Sequence, residues 1–274
     1  MILRECQIRQ PGGLITTKQI IYLYDMKKVS ILVPESAVLA AIADPRYMFT
    51  AVNQFLETAG KPALFDVQLV GLSKEIRLND GLFSIHTDKL LHEVEQTDLI
   101  FIPALSGDLK TALTINKGLI PWIVGQYKNG AEVASLCIGA FLLASTGLLK
   151  GKQCSTHWLF ANEFRNMFPE VELVDGNIIT EEQGIYSSGG ANSYWNLLLY
   201  LVEKYTNRET AILASKFFAI DIDRSSQSAF VMFQGQKDHD DQEIMQAQDY
   251  IERNFQDKIS VDQLADKFVV GRRS

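Results

Sequence analysis

Only three cysteines, Cys6, Cys137 and Cys154, occur in 274 residues, an odd number without metal-ligand spacing. That argues against a disulfide scaffold and suits a reducing compartment. Histidine is equally sparse, and His86, His92, His157 and His239 form no metal motif. No apolar run approaches the roughly 20 residues needed to cross a bilayer, because Lys, Asn, Gly and Glu interrupt each candidate. The N-terminus lacks the basic, apolar and small-residue order of a signal peptide. The expectation is a cytoplasmic protein with no membrane partner, no metal and no cofactor. Positive charge is also in deficit: 26 Lys and Arg stand against 33 Asp and Glu, a net charge of −7. A surface that holds nucleic acid throughout is therefore excluded. A small basic reading element on an acidic body is not, and the chain ends Gly271-Arg272-Arg273-Ser274.

What is present begins at Met26. Residues 1–25 lack sustained periodicity, and Gln10-Pro11-Gly12-Gly13 is turn chemistry; they are expected to be a non-native or disordered extension. From Met26, short apolar runs alternate with amphipathic stretches. Strands are expected at 29–33, 65–72, 82–87, 99–103, 132–136 and 185–188, with helices over 38–58 (bent or broken near Pro45), 109–128, 138–149, 157–168, 194–205 and 209–220. Runs apolar on both faces, such as Leu99-Ile100-Phe101-Ile102, belong in a parallel sheet covered by helices on each side. Asn79-Asp80-Gly81 within 75–87 suggests an inserted hairpin. The fold class is α/β, a flavodoxin-like, doubly wound, mostly parallel sheet over 26–220. A polar stretch over 221–241 reads as a linker. Helical periodicity returns at 242–274, where Ile244, Ala247, Ile251 and Phe255 share one stripe. Ser260-Val261-Asp262-Gln263 is a capping box opening a second helix. Two short helices, a turn and a basic start are the makings of a helix-turn-helix.

The chemistry concentrates at Ser135-Leu136-Cys137-Ile138-Gly139-Ala140. A strand runs into Cys137 and a helix leaves at once with small residues. Such a corner exposes a side chain at the sheet edge, toward a helix N-terminus whose dipoles lower a thiol pKa. The elbow Cys137-Ile138-Gly139-Ala140-Phe141, the later Thr156-His157-Trp158, and Ser187-Ser188-Gly189-Gly190 ahead of a Leu-rich helix resemble the PfpI superfamily (class I glutamine amidotransferase-like). In order and wording they are similar to its branch fused to AraC-type DNA-binding domains. At the C-terminus, Ile259-Ser260, Leu264-Ala265 and Gly271-Arg272-Arg273 resemble the start of an AraC-type domain, with Gly271 in place of the usual Ser and Val269 in place of the usual turn Gly.

The resemblance implies a transcription regulator: a PfpI-like ligand-sensing domain over 26–220, then the start of an AraC-type domain over 242–274, cut off within its first helix-turn-helix. Arg272 and Arg273 would be its DNA-contacting residues, and specific operator binding is expected of a longer parent rather than of this chain. A homodimer fits paired half-sites. Hydrolytic relatives place a His directly after the elbow Cys and an acidic residue just beyond the first strand. Here those positions hold Ile138 and Ala41, so no catalytic residue is expected. Cys137, Ile138 and His157 are the candidate ligand-binding residues for an unidentified small-molecule effector. Cys137 is equally readable as inert packing, and His157 as a helix-start histidine bonded to backbone; Trp158 reads as core. The competing reading is a cysteine-dependent hydrolase or lyase using Cys137 with His157. A further one makes Cys137 a reversible redox sensor.

Overall fold

A computed structural model describes residues 2–10, 13–21, 26–174, 176–190, 192–222, 242–254 and 258–268. The chain divides into two compact units, residues 1–230 and 231–274.

The first unit opens with an antiparallel pair, β1 (Ile2–Gln10) and β2 (Gly13–Ile21), in register from Ile2↔Ile21 to Gln10↔Gly13. No regular element was expected there.

Eleven further strands follow. They are β3 (Lys27–Leu32), β4 (Phe65–Gly71), β5 (Glu75–Leu78), β6 (Phe83–His86), β7 (Lys89–Leu90), β8 (Leu99–Ile102), β9 (Glu132–Ser135), β10 (Gln153–Cys154), β11 (Glu172–Leu173), β12 (Ile179–Glu182) and β13 (Ile185–Ser188). Seven form one sheet in the order β12-β13-β9-β8-β3-β4-β7. All its pairings are parallel except β12 with β13. Its central strand, β8, is buried along its length, Leu99 to Ile102 each being fully inaccessible. That is why the run carries no polar residue: both faces meet helices. The expected inserted hairpin is β5–β6, turned at Asn79 and Asp80, both at positive φ. The mostly parallel, doubly wound sheet agrees with expectation.

Helices cover the sheet: α1 (Leu39–Thr58), α2 (Leu109–Ile115), α3 (Ile120–Lys128), α4 (Ala140–Ser145), α5 (Ala161–Met167), α6 (Tyr194–Tyr205) and α7 (Arg208–Phe218). Pro45 lies within α1, which runs through it as one helix instead of breaking. The single helix expected over 109–128 is divided by a 3-10 turn, Lys117–Leu119. Asn116 explains the division. Its side chain is fully buried and bonds both the amide and the carbonyl of Glu35, so it anchors the loop after β3. Pro121 then stands in the first turn of α3, where its missing amide costs no helical bond.

The second unit contains α8 (Gln242–Arg253) and α9 (Val261–Phe268). The capping box forms as its wording requires: the Gln263 amide donates to Ser260 Oγ at 3.2 Å, and the Ser260 amide donates to Gln263 Oε1 at 2.9 Å. The rings of Tyr250 and Phe268 meet edge to face, 5.7 Å between centroids. Most of the expected linker, and Arg272 and Arg273, lie outside the described residues.

Candidate functional site

Strand order reverses on either side of β3, and the loops at the C-terminal ends of β3, β8, β9 and β13 lie where such sheets place a ligand crevice. Two of these loops, after β3 and β8, are tied together. Val38 donates its amide to Ala104 O, Ser106 donates to Ser36 O, and Ala37 bridges Leu105. The loop at β9 is the elbow.

Cys137 stands at φ 56°, a left-handed conformation that non-glycine residues adopt at a cost. A 3-10 turn, Cys137–Gly139, follows, and α4 begins only at Ala140. The helix expected from Ile138 is thus shorter and starts later. Gly139 is required by proximity. A Cβ there would lie 2.6 Å from the carbonyl oxygens of both Ile102 and Pro103, so the turn presses directly on the end of β8. The corner is fastened from two sides. The Cys137 amide donates to Ser188 Oγ at 3.2 Å, and Thr156 Oγ1 donates to the Cys137 carbonyl at 3.3 Å. These bonds bring the three sequence motifs together: the elbow, the Thr-His-Trp segment and the Ser-Ser-Gly-Gly turn.

The elbow does not make the sulfur acidic. Cys137 is 5% exposed, and burial pushes its thiol up to about 11 despite a bond from the Ile138 amide. Desolvation outweighs the nearby peptide dipoles, contrary to the lowering expected of such a corner. Cys154 is buried more deeply still and is pushed up to about 12 by the same cause. Ile138 is buried beside Cys137. His157 caps the 3-10 turn Trp158–Phe160: its Nδ1 accepts from the Leu159 amide at 3.1 Å. Burial lowers its pKa, which favours the neutral ring. Its partner is the backbone, one of the two roles its position allowed. Trp158 is half-buried with its ring tilted against His157, 5.6 Å between centroids.

Ala41, the position at which the resemblance places the hydrolytic relatives' acid, is fully buried in α1. One turn further along lies Asp44, which does not match that motif. Its Oδ2 accepts from the Tyr194 hydroxyl at 2.5 Å. Tyr194 begins α6; burial and the bond to Asp44 raise its hydroxyl, and a thiolate at Cys137 would raise it further. Burial raises the Asp44 carboxyl, partly offset by the bond from Tyr194. The available signal was helical spacing: residues three apart share a face, so Asp44 follows Ala41 toward the same crevice.

Among the described residues no group of three or more His, Cys, Asp or Glu side chains is placed to hold a metal, and no helix is long and apolar enough to cross a membrane. A cleft of about 320 Å³ between Leu56, Lys61, Leu64 and Asn207 lies where β4 begins, at the opposite ends of the strands from the elbow. It takes no part in this chemistry.

The DJ-1/PfpI family pattern matches residues 27–204. The chain is 22% identical over 201 residues to the HTH-type transcriptional regulator GbdR of Pseudomonas aeruginosa, covering 73% of this chain and 53% of that protein. It is 24% identical over 117 residues to isonitrile hydratase of Pseudomonas putida, covering 42% of this chain and 49% of the enzyme. The chain spans about half the length of the curated relatives it matches. In fold it is similar to the crystal structure of an AraC family transcriptional regulator from Pseudomonas putida. That likeness has a TM-score of 0.58 at 17% identity and covers 70% of this chain and 99% of that one.

Proposed function

The chain belongs to the DJ-1/PfpI family, and from that premise we propose that it acts in a DNA-binding transcription regulator, its α/β unit sensing a small-molecule effector without transforming it. The state of the elbow carries this reading. Acyl transfer or hydration through Cys137 needs a thiolate and a group to handle protons. Here the sulfur is buried with its thiol pushed up to about 11, Ile138 stands in place of the family's histidine, and His157 spends Nδ1 on a backbone amide. Cys137, Ile138 and His157 then line an effector crevice at the strand ends, the usual place for a ligand in such sheets.

The helical pair supplies the second half of the reading. An amphipathic helix followed by a capped short helix and Arg272-Arg273 suits a helix-turn-helix of AraC type. The two arginines would contact operator phosphates or base edges. Two copies reading paired half-sites, in the cytoplasm, complete the proposal. Its support is the likeness to GbdR and to the AraC family structure.

The likeness to isonitrile hydratase favours a second reading, an enzyme using Cys137. A metabolite screen by thermal shift separates the two. A true effector raises the melting temperature by mass action and is recovered unchanged. Consumption of the stabilising compound, abolished by Cys137→Ala, would replace the sensor with the enzyme.

A further inference from the structure

The donors at the elbow are already engaged. The Cys137 amide is held by Ser188 Oγ, the Thr156 hydroxyl by the Cys137 carbonyl, and the Ile138 amide by the sulfur. What faces the crevice unspent is acceptor capacity. The Tyr194 hydroxyl has committed its proton to Asp44 Oδ2 at 2.5 Å, so toward any third group its oxygen only accepts. Asp44 is half-buried yet reachable. Among the described residues its carboxylate has this single hydrogen-bond partner, which is neutral, and no cation pairs with it. Elsewhere on the same unit the half-buried Glu132 is paired with Lys204, while the half-buried Asp98 and Glu182 each accept a backbone amide, from Lys28 and Gln153.

A carboxylate taken partly out of water without a counter-charge is a cost the fold bears for something. We propose that Asp44 and Tyr194 form the recognition end of the effector crevice, and that the effector brings to them a protonated amine or guanidinium. The proposal rests on the sensing reading above and names the ligand class of that same site. The geometry suits it: a positively charged N–H donor meets Asp44 Oδ1 and the Tyr194 oxygen together, and the rest of the ligand extends over the buried Ile138 and Cys137. Desolvation raises the Asp44 carboxyl, and a bound cation would reverse that effect. The alternative is a plain tether joining α1 to α6.

The test is a thermal-shift titration of the whole chain with four probes of one length: n-butylammonium, n-butylguanidinium, n-butanol and n-butyrate, at matched ionic strength. The two cations should raise the melting temperature, and the alcohol and the carboxylate should not. Asp44→Asn should weaken the cation response by about tenfold or more, as expected when a charged hydrogen-bond partner is removed. Tyr194→Phe keeps the carboxylate and should keep the preference for cations, and it serves with the wild-type panel if Asp44→Asn does not fold. A response indifferent to charge, or one undiminished in Asp44→Asn, overturns the proposal. So does a wild-type chain with no cation preference whose Asp44→Asn variant merely melts lower, which is the tether. A neutral or anionic metabolite that stabilises the protein and is recovered intact would overturn the cation assignment while the sensing reading stands. Cys137-dependent turnover of a cation would strike the sensing reading, while a charge preference still upholds this one.

Discussion

In the α/β unit the strand Leu99–Ile102 is sealed from water on both faces; in the helical pair, α9 has no buried residue, and Val261 at its start is 63% exposed. The first unit is held by burial, and its oddities follow from burial: a strained cysteine, a glycine pressed on a strand end, a carboxylate without a counter-ion. The second, in its described residues, is held by local bonds: a capping box, one aromatic pair, and Lys267 3.7 Å over the Tyr250 ring. Burial imposes conditions on chemistry that local bonds do not, so a reactive-looking residue means different things in the two units.

The largest effect that tests this contrast concerns Cys137. A thiol pushed from 9.0 to about 11 carries roughly a hundredfold less thiolate at neutral pH. Alkylation of the native chain should therefore be at least about a hundredfold slower at Cys137 than in the unfolded chain, with an inflection far above pH 8. The linkage has a definite sign. The folded state holds the thiol proton more tightly, so this residue's contribution is present below pH 9 and is lost as pH climbs toward 11. Rapid alkylation at pH 7 would break the comparison, because the elbow would then be an activated nucleophile.

Gly139 comes next. Its φ is ordinary at −59°, so the only objection to Gly139→Ala is space: the added carbon meets two backbone oxygens at 2.6 Å. Overpacking of this kind costs about 1–3 kcal/mol. All three tryptophans, Trp122, Trp158 and Trp195, lie in the α/β unit, so their fluorescence reports its unfolding alone. That transition should fall by several degrees. An unchanged midpoint would mean that the end of β8 yields easily.

Glu132 sharpens the contrast within the first unit. It opens β9, the strand that ends at the elbow, and accepts bonds from Lys204, Tyr205 and Tyr186. Burial would raise its carboxyl, but these three bonds prevail and hold it below the ordinary 4.5. Its stabilisation is thus complete above pH 4.5 and is lost as pH falls through the depressed value. Glu132→Gln should cost about 1–2 kcal/mol at pH 7 and flatten the acid limb of the fluorescence melting curve. If the acid limb persists unaltered, other carboxylates carry it.

The sequence disclosed the sheet because buried strands have a simple signature. The run Leu99–Ile102 admits one interpretation, and the elbow wording located Cys137, Gly139 and the segments that fasten them. Short edge pairings were not legible: β7, β10 and β11 span two residues each, too few for any period. The division at Asn116 was hidden because a buried amide bonding a distant loop leaves no local mark. Asp44 was missed for a related reason. Its role depends on Tyr194, 150 residues away, and motif matching looked only at Ala41. The direction of the Cys137 shift was not legible either, since a strand-to-helix corner describes dipoles and says nothing about how much water is excluded.

The smallest effect belongs to the helical pair, where the capping box was legible to the residue because its bonds span only three positions. Removing the hydroxyl in Ser260→Ala leaves the Gln263 amide without its partner, at a cost of about 1 kcal/mol. Hydrogen exchange at Gln263 should quicken by roughly fivefold if that cost appears locally, while the tryptophan transition stays where it was. Gly139→Ala should do the reverse. A shift of the fluorescence midpoint in Ser260→Ala would show that the two units unfold together, and the separation between a unit held by burial and a locally stabilised helical pair would fail on thermodynamic grounds.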